Sequence, residues 1–112
     1  MLDELLILKK IKEGDIKAFE ELFRRYYFPL CCYAAGITGQ MAVAEEIVEE
    51  LFYVLWKERE RLQIFQSVKS YLYRATRNQS LQYCEHEEVR NRYREAVLNT
   101  SNPEQSDRKS VV

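Results

Sequence analysis

The sequence predicts an all-α fold, a compact bundle of about four helices, and three observations predict it. Only three glycines and two prolines punctuate the 112 residues, too few for strands joined by tight turns. Apolar residues recur three and four positions apart, the period of a helix with one face turned inward. Helix stop and start signals separate the periodic stretches. The length fits one domain with a single modest core.

The first helix is expected over about Leu2 to Ile11, with Gly14 as its stop. Asp15 then reads as the N-cap of a second helix, whose stripe is Phe19, Leu22, Phe23, Tyr26, Leu30 and Tyr33. Pro29 interrupts that stripe; it lacks a backbone donor and crowds the preceding turn, so a kink or local break is expected there. Gly36 and Gly39 mark the next loop.

A third helix is expected over about Gln40 to Arg61. Ala44, Ile47, Val48, Leu51, Leu55 and, in part, Phe52 and Trp56 form its inner face. Glu45, Glu46, Glu49 and Glu50 form its outer face and suit the positive end of the helix dipole. An irregular segment, about Leu62 to Gln66, follows. Ser67 or Ser70 then caps a fourth helix that carries Val68, Tyr71, Leu72, Ala75 and Leu81 and continues past Tyr93. Its later half alternates charges with almost no apolar stripe, the pattern of a solvated, ion-paired helix or of a frayed one. The expected division is a helical domain over 1–98 and a linker or disordered tail over 99–112, where nothing can bury a core.

The formal net charge of −1 gives no general attraction to nucleic acid. The N-terminus does not read as a signal peptide, and no stretch approaches the length of a membrane span. A cytoplasmic protein with reduced, buried thiols at Cys31, Cys32 and Cys84 is the expectation.

Two segments carry chemistry. The stretch Ala44 to Trp56 sets four glutamates beside an aromatic edge. It is either a merely solvated amphipathic helix or a docking face for a basic partner. The stretch Lys69 to Ser80 contains Lys69, Arg74 and Arg77 and no acidic residue, with Tyr71 and Tyr73 interleaved. Cations neutralise phosphates, aromatic faces stack on unpaired bases, and Asn78 can bond a base edge. The alternative is a plain helix surface with Tyr71 in the core. Cys84 and His86 lack the paired spacing of a zinc site, so neither metal nor cofactor is expected. His86 is the sole histidine, and no phosphate loop, nucleophile elbow or two-histidine motif occurs, which argues against an enzyme.

Three blocks together resemble region 2 of the extracytoplasmic-function (ECF) sigma factors of bacterial RNA polymerase. They are Ala18-Phe19-Glu20-Glu21-Leu22-Phe23-x-x-Tyr26, Ala44-Glu45-Glu46-Ile47-Val48-Glu49-Glu50-Leu51-Phe52-x-x-Leu55-Trp56, and Tyr71-Leu72-Tyr73-Arg74-Ala75-Thr76-Arg77-Asn78. The resemblance implies a transcription initiation module that docks on the clamp helices of the polymerase's largest subunit through Glu45, Glu46, Glu49, Glu50, Phe52 and Trp56. It implies that the loop from Leu62 to Val68 captures a flipped base. Reading of the promoter's −10 element, as non-template strand, then falls to Lys69, Tyr71, Arg74, Arg77 and Asn78. An anti-sigma factor is a further implied partner. Glu49 stands where the family usually has Gln, and the acidic-then-basic text common after Asn78 is absent. A complete family member also carries region 4, a helix-turn-helix that reads the −35 element. The sequence here turns linker-like where region 4 is expected, so it is read as a piece lacking that domain. The rival expectations are a helical protein-interaction adapter without DNA binding and a small metal-dependent enzyme.

Overall fold

The computed structural model describes residues 3–63 and 67–101, with side chains as far as Asn99. These residues form α1 (Glu4–Lys12), α2 (Ile16–Thr38), α3 (Met41–Lys57) and α4 (Val68–Ser101), plus a turn of 3-10 helix at Arg59–Arg61. No strand occurs among them, so the fold is all-α with four helices, as the sequence predicts. The chain falls into two compact units, Met1–Leu81 and Gln82–Val112. The first contains the hydrophobic core. The described part of the second is the later length of α4.

Local chemistry accounts for the helix ends. Asp3 caps α1, its carboxylate accepting from the Leu5 N–H at 3.4 Å. Gly14 takes a left-handed φ of 92°. Its N–H donates to the Ile11 carbonyl at 2.9 Å, and the Asp15 N–H donates to Lys10 at 3.0 Å, the paired bonds of a Schellman stop. Asp15 then caps α2, accepting from the N–H groups of Lys17 at 3.0 Å and Ala18 at 3.3 Å. One Gly-Asp pair therefore ends one helix and begins the next. Ser67, rather than Ser70, caps α4, its hydroxyl accepting from the Ser70 N–H at 3.2 Å.

Three helix ends differ from expectation. α2 runs unbroken through Pro29 and Gly36 and ends at the left-handed Gly39, φ 79°. Proline within a helix costs about 3 kcal/mol. Leu22 and Tyr26 before it, and Leu30, Cys31 and Ala34 after it, are all buried. Each large apolar side chain among them contributes roughly 1.5–3 kcal/mol on burial, so packing on both sides outweighs the lost bond. α3 stops at Lys57. Its glutamates begin at its fifth residue, past the first turn in which the dipole acts, so the expected dipole contribution is small. α4 continues to Ser101, past the expected boundary at 98; the remainder of the expected tail, 102–112, lies outside the described residues.

The core joins Ile7, Leu8 and Ile11 of α1 to Leu22, Tyr26, Leu30 and Cys31 of α2 and Val48, Phe52 and Leu55 of α3. Leu62, Val68 and Leu72 complete it. Phe23 sets its ring edge-on to Phe52 at 5.0 Å and stacks on Tyr27 at 4.7 Å. A polar clasp holds α1 to α2: the Tyr26 hydroxyl donates to Glu4 at 2.6 Å, and Arg25 bonds Glu4 at 3.2 Å and Glu21 at 2.9 Å. Hydrogen bonds to Glu21 and Glu4 raise the Arg25 pKa. Of the three cysteines only Cys31 is buried; Cys32 is exposed and Cys84 half-buried. At about 100° per residue Cys31 falls beside Ala34 on the inner side of α2, while Cys32 turns well away from it.

Burial, and then the bond to Glu4, push the Tyr26 phenol up to about 12 from its ordinary 10.0. Burial and a bond to Glu49 raise Tyr27 as well. Above pH 10 the unfolded chain sheds protons that these phenols retain when folded. Their stabilisation is therefore complete below pH 10 and falls as pH rises from there towards 12. Urea unfolding measured across that window should show declining stability, and Tyr26→Phe should flatten the decline, leaving the share of Tyr27. A second expectation concerns Thr76 and Ser80, which are fully buried with hydroxyls that make no hydrogen bond. Thr76→Val keeps the shape and removes the orphaned group, so it should stabilise the protein by about 1 kcal/mol in the same assay.

Candidate partner-binding and nucleic-acid faces

The outward side of α3 is set by the phase of its core residues. Ala44, Val48, Phe52 and Leu55 point inward at helical intervals and leave Glu45, Glu46, Glu49, Glu50, Tyr53, Val54 and Lys57 exposed. The four expected glutamates thus share one exposed face. Glu49 is tied to the neighbouring helix, its carboxylate accepting from the Tyr27 hydroxyl at 3.1 Å. The same contact network reaches Cys31, whose thiol is raised in pKa chiefly by burial.

Phe52 does not belong to this surface. It is 1% exposed and wedged between Phe19 and Phe23. A residue seated this way serves the core, where truncation to Ala costs about 3–5 kcal/mol. Trp56 is half-buried, its ring 5.0 Å from Phe19 of α2, with the Arg59 guanidinium 4.3 Å from its centroid. Arg59 also donates to the Trp56 carbonyl at 2.9 Å, which closes the end of α3. The packing of Trp56 on the second helix agrees with its place at the end of the apolar stripe, although one edge stays open to solvent.

The residues that sequence reasoning passed over are Tyr53 and Val54, 60% and 41% exposed. Their signal was in the text: Tyr53 lies seven residues after Glu46 and so returns to the same face.

On α4, Val68, Leu72, Thr76 and Ser80 turn inward. Lys69, Arg74, Arg77 and Asn78 are exposed. At about 100° per residue, Arg74 and Arg77 flank one line with Ser70 between them, while Lys69 stands to one side near the helix start. Tyr71 is half-buried against the core, in line with Asn78 seven positions on. Tyr73 is likewise half-buried, its ring edge-on to Tyr33 of α2 at 5.1 Å. That contact fixes the rotation of α4 against α2. It leaves α4 with a cationic outer face free of acidic residues from Val68 to Leu81. Of the loop expected to capture a flipped base, residues 64–66 lie outside the described residues.

Past Gln82 the helix is exposed on nearly all sides and carries ion pairs within itself, Arg90 to Glu87 at 2.7 Å and Arg92 to Glu88. Such surface pairs contribute about 0–1 kcal/mol each, enough to favour helix but not to build a core. His86 is exposed there. No group of three metal-ligating side chains occurs among the described residues, and no described helix is long and apolar enough to cross a membrane.

A profile of the Sigma-70 region 2 family matches residues 22–89, from the second turn of α2 into the exposed part of α4. Among solved structures, the fold is similar to an engineered region 2 of sigmaE, determined by NMR in complex with GTAAAA. The TM-score is 0.68 at 21% sequence identity, over 80% of this chain and 93% of that one. Comparison with curated protein sequences gives no match. With the profile spanning more than half of the sequence and the fold in agreement, the chain belongs to the Sigma-70 region 2 family, the sigma-factor domain that binds core RNA polymerase and recognises the promoter −10 element.

Proposed function

We propose that this chain is region 2 of a sigma factor of the ECF type, acting in the cytoplasm and held in check by an anti-sigma factor. It docks on the clamp helices of the largest polymerase subunit through Glu45, Glu46, Glu49, Glu50 and the open edge of Trp56. It reads the −10 element as unpaired non-template strand through Lys69, Tyr71, Arg74, Arg77 and Asn78. The observation that carries this reading is the separation of charge. An acidic outer face on α3 and an acid-free cationic face on α4 are held by one core. The three sequence blocks support the ECF assignment, and the GTAAAA bound by the similar sigmaE domain supports the nucleic-acid assignment.

Melting on this reading is a shift of equilibrium rather than a chemical step. The domain binds the separated strand better than the duplex and so favours the open state in proportion to that difference. Arg74 and Arg77 meet phosphates and set position; Asn78 meets a base edge and sets preference. Tyr71, half-buried, offers one edge for stacking while its other side holds α4 to the core. A protein-interaction adapter would use the acidic face but would leave the acid-free stretch of α4 without a purpose.

Two outcomes test the reading. Glu46→Lys together with Glu50→Lys reverses charge without breaking the Tyr27–Glu49 bond. It should weaken binding to core polymerase by at least about tenfold, or 1.4 kcal/mol, while the helical circular-dichroism signal and melting temperature persist. Parental affinity would remove α3 from the interface. For DNA, the complex with polymerase should be titrated with salt on a non-template −10 single strand. Arg74→Ala and Arg77→Ala should each reduce the log–log salt slope by about 0.7. Asn78→Ala should change sequence preference more than slope. Unchanged slopes in both arginine variants would show that this face of α4 does not meet the strand.

A further inference from the structure

The centre of the outer face of α3 is not wholly acidic. Taking Glu46 as origin and about 100° per residue, Tyr53 falls about 20° to one side and Lys57 about 20° to the other. Glu50 lies near Lys57, and Glu49 lies beyond Tyr53. Tyr53 is 60% exposed, with Val54 next to it at 41%. The Lys57 ammonium stands 5.9 Å from the Tyr53 ring centroid, one helical turn along. The ring is therefore held near the helix by a cation on its C-terminal side. On its N-terminal side the face carries only carboxylates among its exposed charges, back to Glu45.

We propose that Tyr53 is the apolar anchor of the polymerase-facing side of α3. Resting on the docking function proposed above, the inference specifies the partner's surface as an apolar pocket edged by cations. Two physical arguments support it. Carboxylates on an exposed face steer a basic partner and set its orientation, but contribute little to how long it stays. Residence comes from a few desolvated anchors near the centre of the contact, for which Tyr is among the preferred residues. Tyrosine also supplies that area with few rotatable bonds, and the neighbouring Lys57 narrows its freedom further, so little entropy is lost on docking. The core does not need the ring. Phe52, the adjacent aromatic, fills the inward position completely, and Tyr53 stands outside the aromatic seam formed with Phe19 and Phe23.

The test measures binding of the full chain to core RNA polymerase, with the melting temperature of each variant recorded in parallel. Tyr53→Ala should weaken binding by about tenfold or more, chiefly through faster dissociation, at parental melting temperature. Tyr53→Phe, which keeps the ring, should bind within about twofold of the parent. The Glu46→Lys, Glu50→Lys double variant is run alongside and should mainly slow association. Parental binding by Tyr53→Ala, with loss in the glutamate double variant, overturns the anchor and leaves the docking reading standing. Parental binding by both overturns both. A fall in melting temperature for Tyr53→Ala with Tyr53→Phe unaffected would show a ring that serves the fold, and would likewise overturn the anchor.

Discussion

The seam between α2 and α3 is the constraint on which the remainder depends. Phe19 and Phe23 of α2 enclose Phe52 of α3, and Leu22 and Val48 are buried in the same cluster. With Phe52 seated, the rotation of α3 about its own axis is no longer free. Glu46 and Glu50 then face outward, because they occupy the opposite phase, and Glu45 and Glu49 fall on the exposed flank next to them. The acidic face is thus a consequence of an aromatic contact rather than of any property of the glutamates.

The cationic face arises in the same manner. Val68 and Leu72 join the core, and Tyr73 meets Tyr33 edge-on. These contacts anchor the first turns of α4 and leave Arg74 and Arg77 in solvent. A module that must hold a protein on one side and a charged strand on the other gains from this arrangement. The two faces are carried on different helices, so opposite charges are kept apart, yet both are indexed to one core. A substitution in the seam would disturb both faces, whereas a substitution on either face would disturb only that one.

Two features run against stability. Proline sits inside the longest helix of the first unit, and two buried hydroxyls on α4 lack partners. Each is tolerated because apolar burial around it is larger than the deficit. Thr76 and Ser80 lie on the inner side of the same helix whose outer side carries Arg74 and Arg77, so the proposed reading helix is also the one with the least satisfied interior.

Much of the protein is legible along the chain. Gly14, Asp15 and Ser67 announce the helix ends because capping is local: the bonding groups lie within five residues of each other. The four glutamates and the acid-free run from Val68 to Leu81 are also plain in the text, since charge composition needs no partner to be read. What only the tertiary structure decided is which neighbour turns inward. Phe52 lies at the edge of the apolar stripe, where the period alone leaves its burial open; Phe19 and Phe23 close over it and draw it into the core. Glu49 looks like its companions in sequence, yet Tyr27, twenty-two residues away, claims its carboxylate. Pro29 carries a local stop signal that burial on both flanks overrides. In each case the deciding energy comes from residues distant in sequence, and hydrophobic periodicity records only that a helix has an inner face, not which surface will meet it.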